Sequence, residues 1–165
     1  MLRVLLFAVF SLFYTIISAP LQAQSRMEAS ALTTLSFRLR PGQDLKTELD
    51  NLVRQRQIEA GLLLTCVGSL TDVSLRLANQ EGATTYRGHF EIVSLVGTLS
   101  VNGSHLHLAV SDSTGRTLGG HLMPGNTIYT TAEIVIGVLP NVVYTREPDP
   151  TFGYRELTVK QKKKN

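Results

Sequence analysis

Cysteine is almost missing from this chain: Cys66 carries the only thiol in 165 residues. A single cysteine cannot close an intrachain disulfide, and it leaves no Cys-x-x-Cys pair for a redox or zinc site. Its surroundings, Gly61-Leu-Leu-Leu-Thr-Cys-Val67, are apolar. Nothing there lowers the thiol pKa, so Cys66 reads as a small buried hydrophobe rather than a nucleophile. The Gly-x-Gly-x-x-Gly fingerprint, the P-loop and the Gly-x-Ser-x-Gly elbow are missing as well, which weakens the case for the enzyme classes they mark. There is no internal repeat.

A charge of one sign is also lacking, despite the net charge of +3. Setting aside Arg3 and the four lysines of Lys160-Gln-Lys-Lys-Lys164 leaves 11 basic against 13 acidic residues. The globular part is slightly acidic, and the basic character belongs to a short terminal run. Such a run is normally a solvated end, with weak affinity for a polyanion as the alternative.

What is present begins with an apolar segment. Arg3 precedes an almost unbroken run from Val4 to Ile17, followed by Ala19-Pro-Leu-Gln-Ala23. The run is short against the ~20 residues that a membrane span requires. It reads as a signal peptide over residues 1–23 cleaved after Ala23, with an uncleaved anchor as the alternative. The expected location is secreted or extracellular, or periplasmic in a bacterium, with no stable membrane span after cleavage. The remainder divides into a leader at 24–34, one domain at 35–159, and a basic tail at 160–165.

Within the domain, Leu35 to Arg40 alternates as a half-buried strand and Pro41-Gly42 stops it. Asp44 is a natural N-cap for a helix whose inner stripe is Leu45, Leu49, Leu52, Val53 and Ile58, with Gly61 as a left-handed C-cap. Beyond Gly61 nearly everything reads as strand: Leu62–Val67, the alternation around Val73–Leu77, Phe90–Leu99, a histidine-bearing hairpin, and Ile128–Val138. Pro140, Pro148 and Pro150 suggest a looser crossing before a final strand at Gly153–Val159. One helix and about seven strands make an α+β domain with a mainly antiparallel sheet.

The histidine hairpin carries the chemistry. His105 and His107 alternate with Leu106 and Leu108, so both imidazoles share one strand face. Asp112-Ser-Thr-Gly115 turns the chain, which brings Gly120-His121 opposite His107. Three neutral imidazoles at one point suit zinc or another divalent transition metal, with a fourth position open for water, a carboxylate or a small anion. Affinity is expected to fall below about pH 6, as ligand histidines take up protons. His89 with Glu91 reads as a surface pair that could border the site. Glu133, in an apolar strand, could orient a ligand histidine or bond a neighbouring subunit. Gly119-Gly120 reads as a place of close backbone approach, and Asn102-Gly-Ser104 as a hairpin turn that coincides with a glycosylation sequon.

Several segments together resemble the plant and prokaryote conserved (PPC) domain. They are Phe37-x-Leu-Arg-Pro-Gly-Gln-Asp44, Gly68-Ser-Leu70, Gly88-His-Phe-Glu-Ile-Val-Ser-Leu-Val-Gly97, His105-Leu-His107, Gly119-Gly-His-Leu122, Thr131-Ala-Glu-Ile-Val135 and Gly153-Tyr-Arg-Glu-Leu157. The resemblance runs from about Leu35 to Val159. It implies a sheet with a helix packed on it, a homotrimer, and a metal site at the positions held here by His105, His107 and His121. Plant members follow an Arg-Gly-Arg AT-hook that enters the DNA minor groove. This sequence has no such core, so DNA binding is not expected. The expectation is a secreted, trimeric binding or structural module with a histidine metal site. The alternatives are a metal-dependent hydrolase or lyase using Glu133 or Glu91 as base, and a polyanion-binding matrix protein acting through its lysine-rich tail.

Overall fold

The computed structural model describes residues 27–151 and 153–163. The segment read as a signal peptide lies outside them. Among the described residues, no helix is long and apolar enough to cross a membrane.

Among the described residues, eight strands and one helix follow in the order β1 (Thr33–Leu39), α1 (Leu45–Gln55), β2 (Gly61–Arg76), β3 (Thr84–Leu99), β4 (His105–Asp112), β5 (Thr117–Leu122), β6 (Ile128–Val138), β7 (Val142–Pro148) and β8 (Arg155–Gln161). The first six strands make one antiparallel sheet in the order β1-β6-β2-β3-β4-β5. The fold is therefore α+β with a mainly antiparallel sheet, as the patterning predicts. The sheet also curls back on itself. The far end of β2 pairs with β5 through Leu75↔Leu122 and Arg76↔His121, so β2 to β5 close into a short barrel. Register shifts along β2, between Leu63 and Thr65 and between Leu70 and Asp72, accompany this bending, as extra residues in a ladder increase local twist.

The helix buries Leu45, Leu49 and Val53 in the same cluster as Leu70, Leu75 and Ile134 of the sheet. It ends earlier than the sequence suggests. Arg56 is the C-cap, and Gln57, not Gly61, takes the left-handed conformation at φ +49°. Gly61 instead opens β2, where a Cβ would lie 2.8 Å from the Gly137 carbonyl oxygen. Ile58 is still buried, but from the turn after the helix, where its N–H donates to the Val53 carbonyl. Cys66 is buried within β2, and burial pushes its thiol up to about 12.

Asp44 does more than cap the helix. Its carboxylate accepts from the Thr47 amide (2.8 Å) and hydroxyl (2.6 Å), and from the Gly125 (2.8 Å) and Asn126 (2.6 Å) amides. One side chain thus ties the start of α1 to the loop between β5 and β6. Partial burial favours the neutral acid, but these four donors outweigh it and hold the carboxyl below its ordinary value. A depressed carboxyl stabilises the fold above the ordinary aspartate range and loses that contribution as pH falls through the folded value. Asp44→Ala is expected to lower stability by about 2 kcal/mol at pH 7. The deficit relative to the parent should shrink below about pH 4, as read from urea midpoints across pH.

The proline-rich segment after β6 is not a loose crossing. Val142–Pro148 forms β7 and pairs with β8 over seven residues, from Val142↔Gln161 to Pro148↔Arg155. Pro140 and Pro150 flank the hairpin's first strand, and Pro148 closes it, so none interrupts its interior. The lysine-rich tail is partly consumed by the same hairpin. Lys160 lies in β8 with its Nζ 2.6 Å from Glu147 Oε1. Lys162 pairs with the Glu59 carboxylate, and its N–H donates to the Asn141 carbonyl. The reading of residues 160–165 as a free end therefore fails at both of these lysines, which removes charge from any polyanion-binding tail.

Candidate metal centre

The hairpin that carries the histidines is built by local chemistry. Asp112 Oδ1 accepts from the Thr114 amide (2.9 Å), the Thr114 hydroxyl (2.6 Å) and the Arg116 amide (3.1 Å). This is an aspartate side chain standing in for backbone at a turn. It sets the pairing of Ser111 with Thr117, and four residues further along His107 faces His121 directly. Strand alternation buries Leu106, Leu108 and Val110 and sends His105 and His107 outward. Leu122 goes into the core, leaving His121 on the outer face.

The three imidazoles converge. His105 Nε2 lies 3.1 Å from His121 Nδ1, and His107 Nε2 lies 3.2 Å from His105 Nε2. One ligand nitrogen from each ring falls within 4.8 Å of the others. A tetrahedral zinc with Zn–N bonds near 2.05 Å separates its ligand nitrogens by roughly 3.3 Å. Two of the three spacings therefore already match a tetrahedral edge, and the donor set fits a borderline-soft divalent ion. The His105 and His121 rings are nearly parallel, 14° apart, and His107 stands edge-on to both.

Electrostatics keep two of these rings neutral. Partial burial, then Arg146 and His107, with Arg76 adding less, depress the His105 pKa, while Glu156 opposes them. Partial burial, then Arg76, His107 and His105, depress that of His121. Neutral imidazole is the form that binds metal.

The carboxylates singled out in the sequence do not reach this point. Glu133 sits opposite Arg38 of β1 and Val67 of β2. Val67 is nine residues from Arg76, the β2 partner of His121, or roughly 30 Å along an extended strand. Glu91 faces Ser69 and Ser111, and its neighbour His89 packs on Tyr129 with ring centroids 4.4 Å apart. Five residues separate Glu91 from Val96, which faces His107, roughly 16 Å along β3. Within one subunit, neither glutamate reaches these histidines. Gly120 fulfils its expected role: a Cβ there would meet the Arg76 carbonyl oxygen at 2.8 Å, so the β2–β5 closure needs glycine. The Asn102 side-chain nitrogen donates to the Tyr144 carbonyl at 2.9 Å, so the sequon amide is engaged in holding β7 to the turn.

Sequence patterning missed the other wall of the site. A cleft of about 770 Å³ beside His105 and His121 is lined by Arg76 from β2 and by Arg146, Tyr154, Arg155 and Glu156 from the β7–β8 hairpin. Local patterning does not place these residues beside the histidines, because they reach them only through packing of the hairpin.

Comparison with known proteins agrees with this architecture. The chain is 48% identical over 138 residues to the bifunctional protein GlmU of a Synechococcus species, strain JA-2-3B'a(2-13). That alignment covers 84% of this chain and 22% of the relative, so the chain spans about a fifth of that protein's length. A hypothetical protein from Salmonella enterica is 47% identical, with a TM-score of 0.81, covering 84% of this chain and all of its own. A metal-containing protein from Archaeoglobus fulgidus shares the fold at 20% identity and a TM-score of 0.67, covering 79% of this chain and 98% of its own. With a family model matching residues 26–140, this chain belongs to the family of the Plants and Prokaryotes Conserved domain.

Proposed function

We propose that this protein is an exported, trimeric binding module that holds one zinc or similar divalent transition-metal ion on His105, His107 and His121. The observation that carries the reading is the spacing of the three imidazole nitrogens. The metal-containing Archaeoglobus fulgidus protein of the same fold adds support. Such an ion polarises whatever occupies its open position. His105, His107 and His121 hold it there, and the surrounding cleft selects that occupant.

The trimer rests on an apolar sheet face left bare by a single subunit. Val67 (61% exposed) and Leu64 on β2, and Val93 (59%) and Val96 on β3, all face solvent. The pairings Gly61↔Leu99 and Ser69↔Glu91 keep one register, which sets Leu64 against Val96 and Val67 against Val93. A contiguous apolar patch of this kind is characteristic of an interface. Export rests on the Arg3-led apolar segment.

Native mass spectrometry reads the subunit count and the metal content in one measurement. The expected result is a trimer carrying three metal ions. His107→Ala should keep the trimer and lose the metal, since that side chain lies outside the core. A monomer, or a His107→Ala variant with full metal content, rejects the corresponding part of the reading.

A further inference from the structure

The cleft beside the histidines concentrates positive charge on a domain whose body is slightly acidic. Arg76, Arg146, Arg155 and Lys46 line it, against one carboxylate, Glu156. Lys46 is neutralised by Asp50 at 2.5 Å. Among the described residues, none of the three arginines lies within ion-pair distance of a carboxylate. Among the described residues each guanidinium makes one hydrogen bond: Arg146 Nη2 to Thr98 Oγ1 at 2.8 Å, Arg155 Nη2 to the Arg146 carbonyl at 2.5 Å, and Arg76 Nη1 to the Gln80 carbonyl at 3.5 Å. A guanidinium has five N–H donors in a planar fork that matches an oxyanion. These three therefore hold most of their donors for something outside the fold. Arg155 donates to the backbone carbonyl of Arg146, and Arg76, Arg146 and Arg155 line the same cleft. Met123 and the exposed ring of Tyr154 supply an apolar wall, and the volume suits a small organic molecule.

We infer that this cleft binds a small organic phosphomonoester, its dianionic phosphate held by Arg76, Arg146 and Arg155 and its organic part against the apolar wall next to the histidines. A dianion answers three guanidiniums and one glutamate better than a monoanion does. Two of the three arginines come from the β7–β8 hairpin, which lies beyond residues 26–140 of the family match. The site extends the metal reading of the same place without depending on an ion, and its test is made on metal-free protein.

Calorimetric titration of the EDTA-treated full chain with phenyl phosphate at pH 7.5 and low salt should give saturable binding. Phenyl sulfate, the same shape with one charge fewer, should bind at least tenfold more weakly. Arg146→Met and Arg76→Met, which keep side-chain bulk on different strands, should each weaken phenyl phosphate tenfold or more. Arg87→Met, outside the cleft, should leave it unchanged. Binding that is absent at millimolar ligand, equal for the sulfate, or indifferent to both cleft arginines overturns the proposal. None of these outcomes bears on metal content, which the His107→Ala measurement decides separately.

Discussion

Gly97→Ala is expected to cost about 4 kcal/mol or more, a large fraction of the stability of an ordinary domain. Gly97 lies in β3 opposite Leu106, at φ +138°. A Cβ there would sit 2.0 Å from the His105 carbonyl oxygen and 2.9 Å from the Leu106 Cα. Both clashes are with backbone, so no side-chain rotation relieves them; β3 and β4 must part. The strand displaced is the one that carries His105 and His107, so any folded fraction should also have lost its metal. Gly82→Ala is the matched control. Gly82 has nothing within 4 Å of its Cβ position, and its variant should stay within about 0.5 kcal/mol of the parent. Thermal melts of the two variants beside the parent decide the matter. A Gly97→Ala protein melting with the parent would mean that β3 and β4 do not pair in this register.

Asn126→Ala should be nearly as damaging, at about 3–5 kcal/mol. Asn126 is fully buried. Its Oδ1 accepts from the Ser74 amide (3.0 Å), and its Nδ2 donates to the carbonyls of Ser74 (3.1 Å) and Met123 (2.5 Å). The side chain acts as a short strand beside β2. Its own backbone meanwhile donates to Asp44 and accepts from the Leu45 amide at the head of α1. Alanine orphans the buried Ser74 amide and Met123 carbonyl and leaves a cavity. Asn126→Asp preserves the shape but loses both donors and buries a charge, so it should fare no better. Its failure would separate hydrogen bonding from volume. Met123 stands two residues after His121 and lines the cleft, so hydrogen exchange at β5 should rise in both variants. Denaturant unfolding that moves by less than about 1 kcal/mol for Asn126→Ala would refute the clamp.

These two residues show where reading along the chain stops. The hairpin of His105, His107 and His121 was legible because its determinants are local. Strand alternation aims the first two rings, the Asp112 turn sets the register, and seventeen consecutive residues contain the whole cluster. The helix, its Asp44 cap and the antiparallel class of the sheet follow from the same short-range periodicities. The end of the helix is not legible in the sequence, because Gln57, an ordinary residue, takes the left-handed turn more commonly held by glycine. The β7 strand is not legible in the sequence because proline normally breaks a ladder, whereas here it stands at the strand's margins.

Contacts between distant segments leave no such trace. Nothing near Asn126 in sequence announces that it will pair with Ser74, fifty-two residues away, or that Asp44 will hold its amide. Without the strand order, Glu133 is indistinguishable in sequence from a partner of the histidines. Placing β6 beside β1 and β2 removes it, and curling β2 back onto β5 brings Arg76 in instead. The arginines of the cleft are ordinary polar residues in one dimension, and only the docking of the last hairpin turns them toward the imidazoles. Short-range stereochemistry dictates which face of a strand a side chain occupies. Which other strand that face meets depends on closing long loops against a shared core, a global balance that no local pattern encodes.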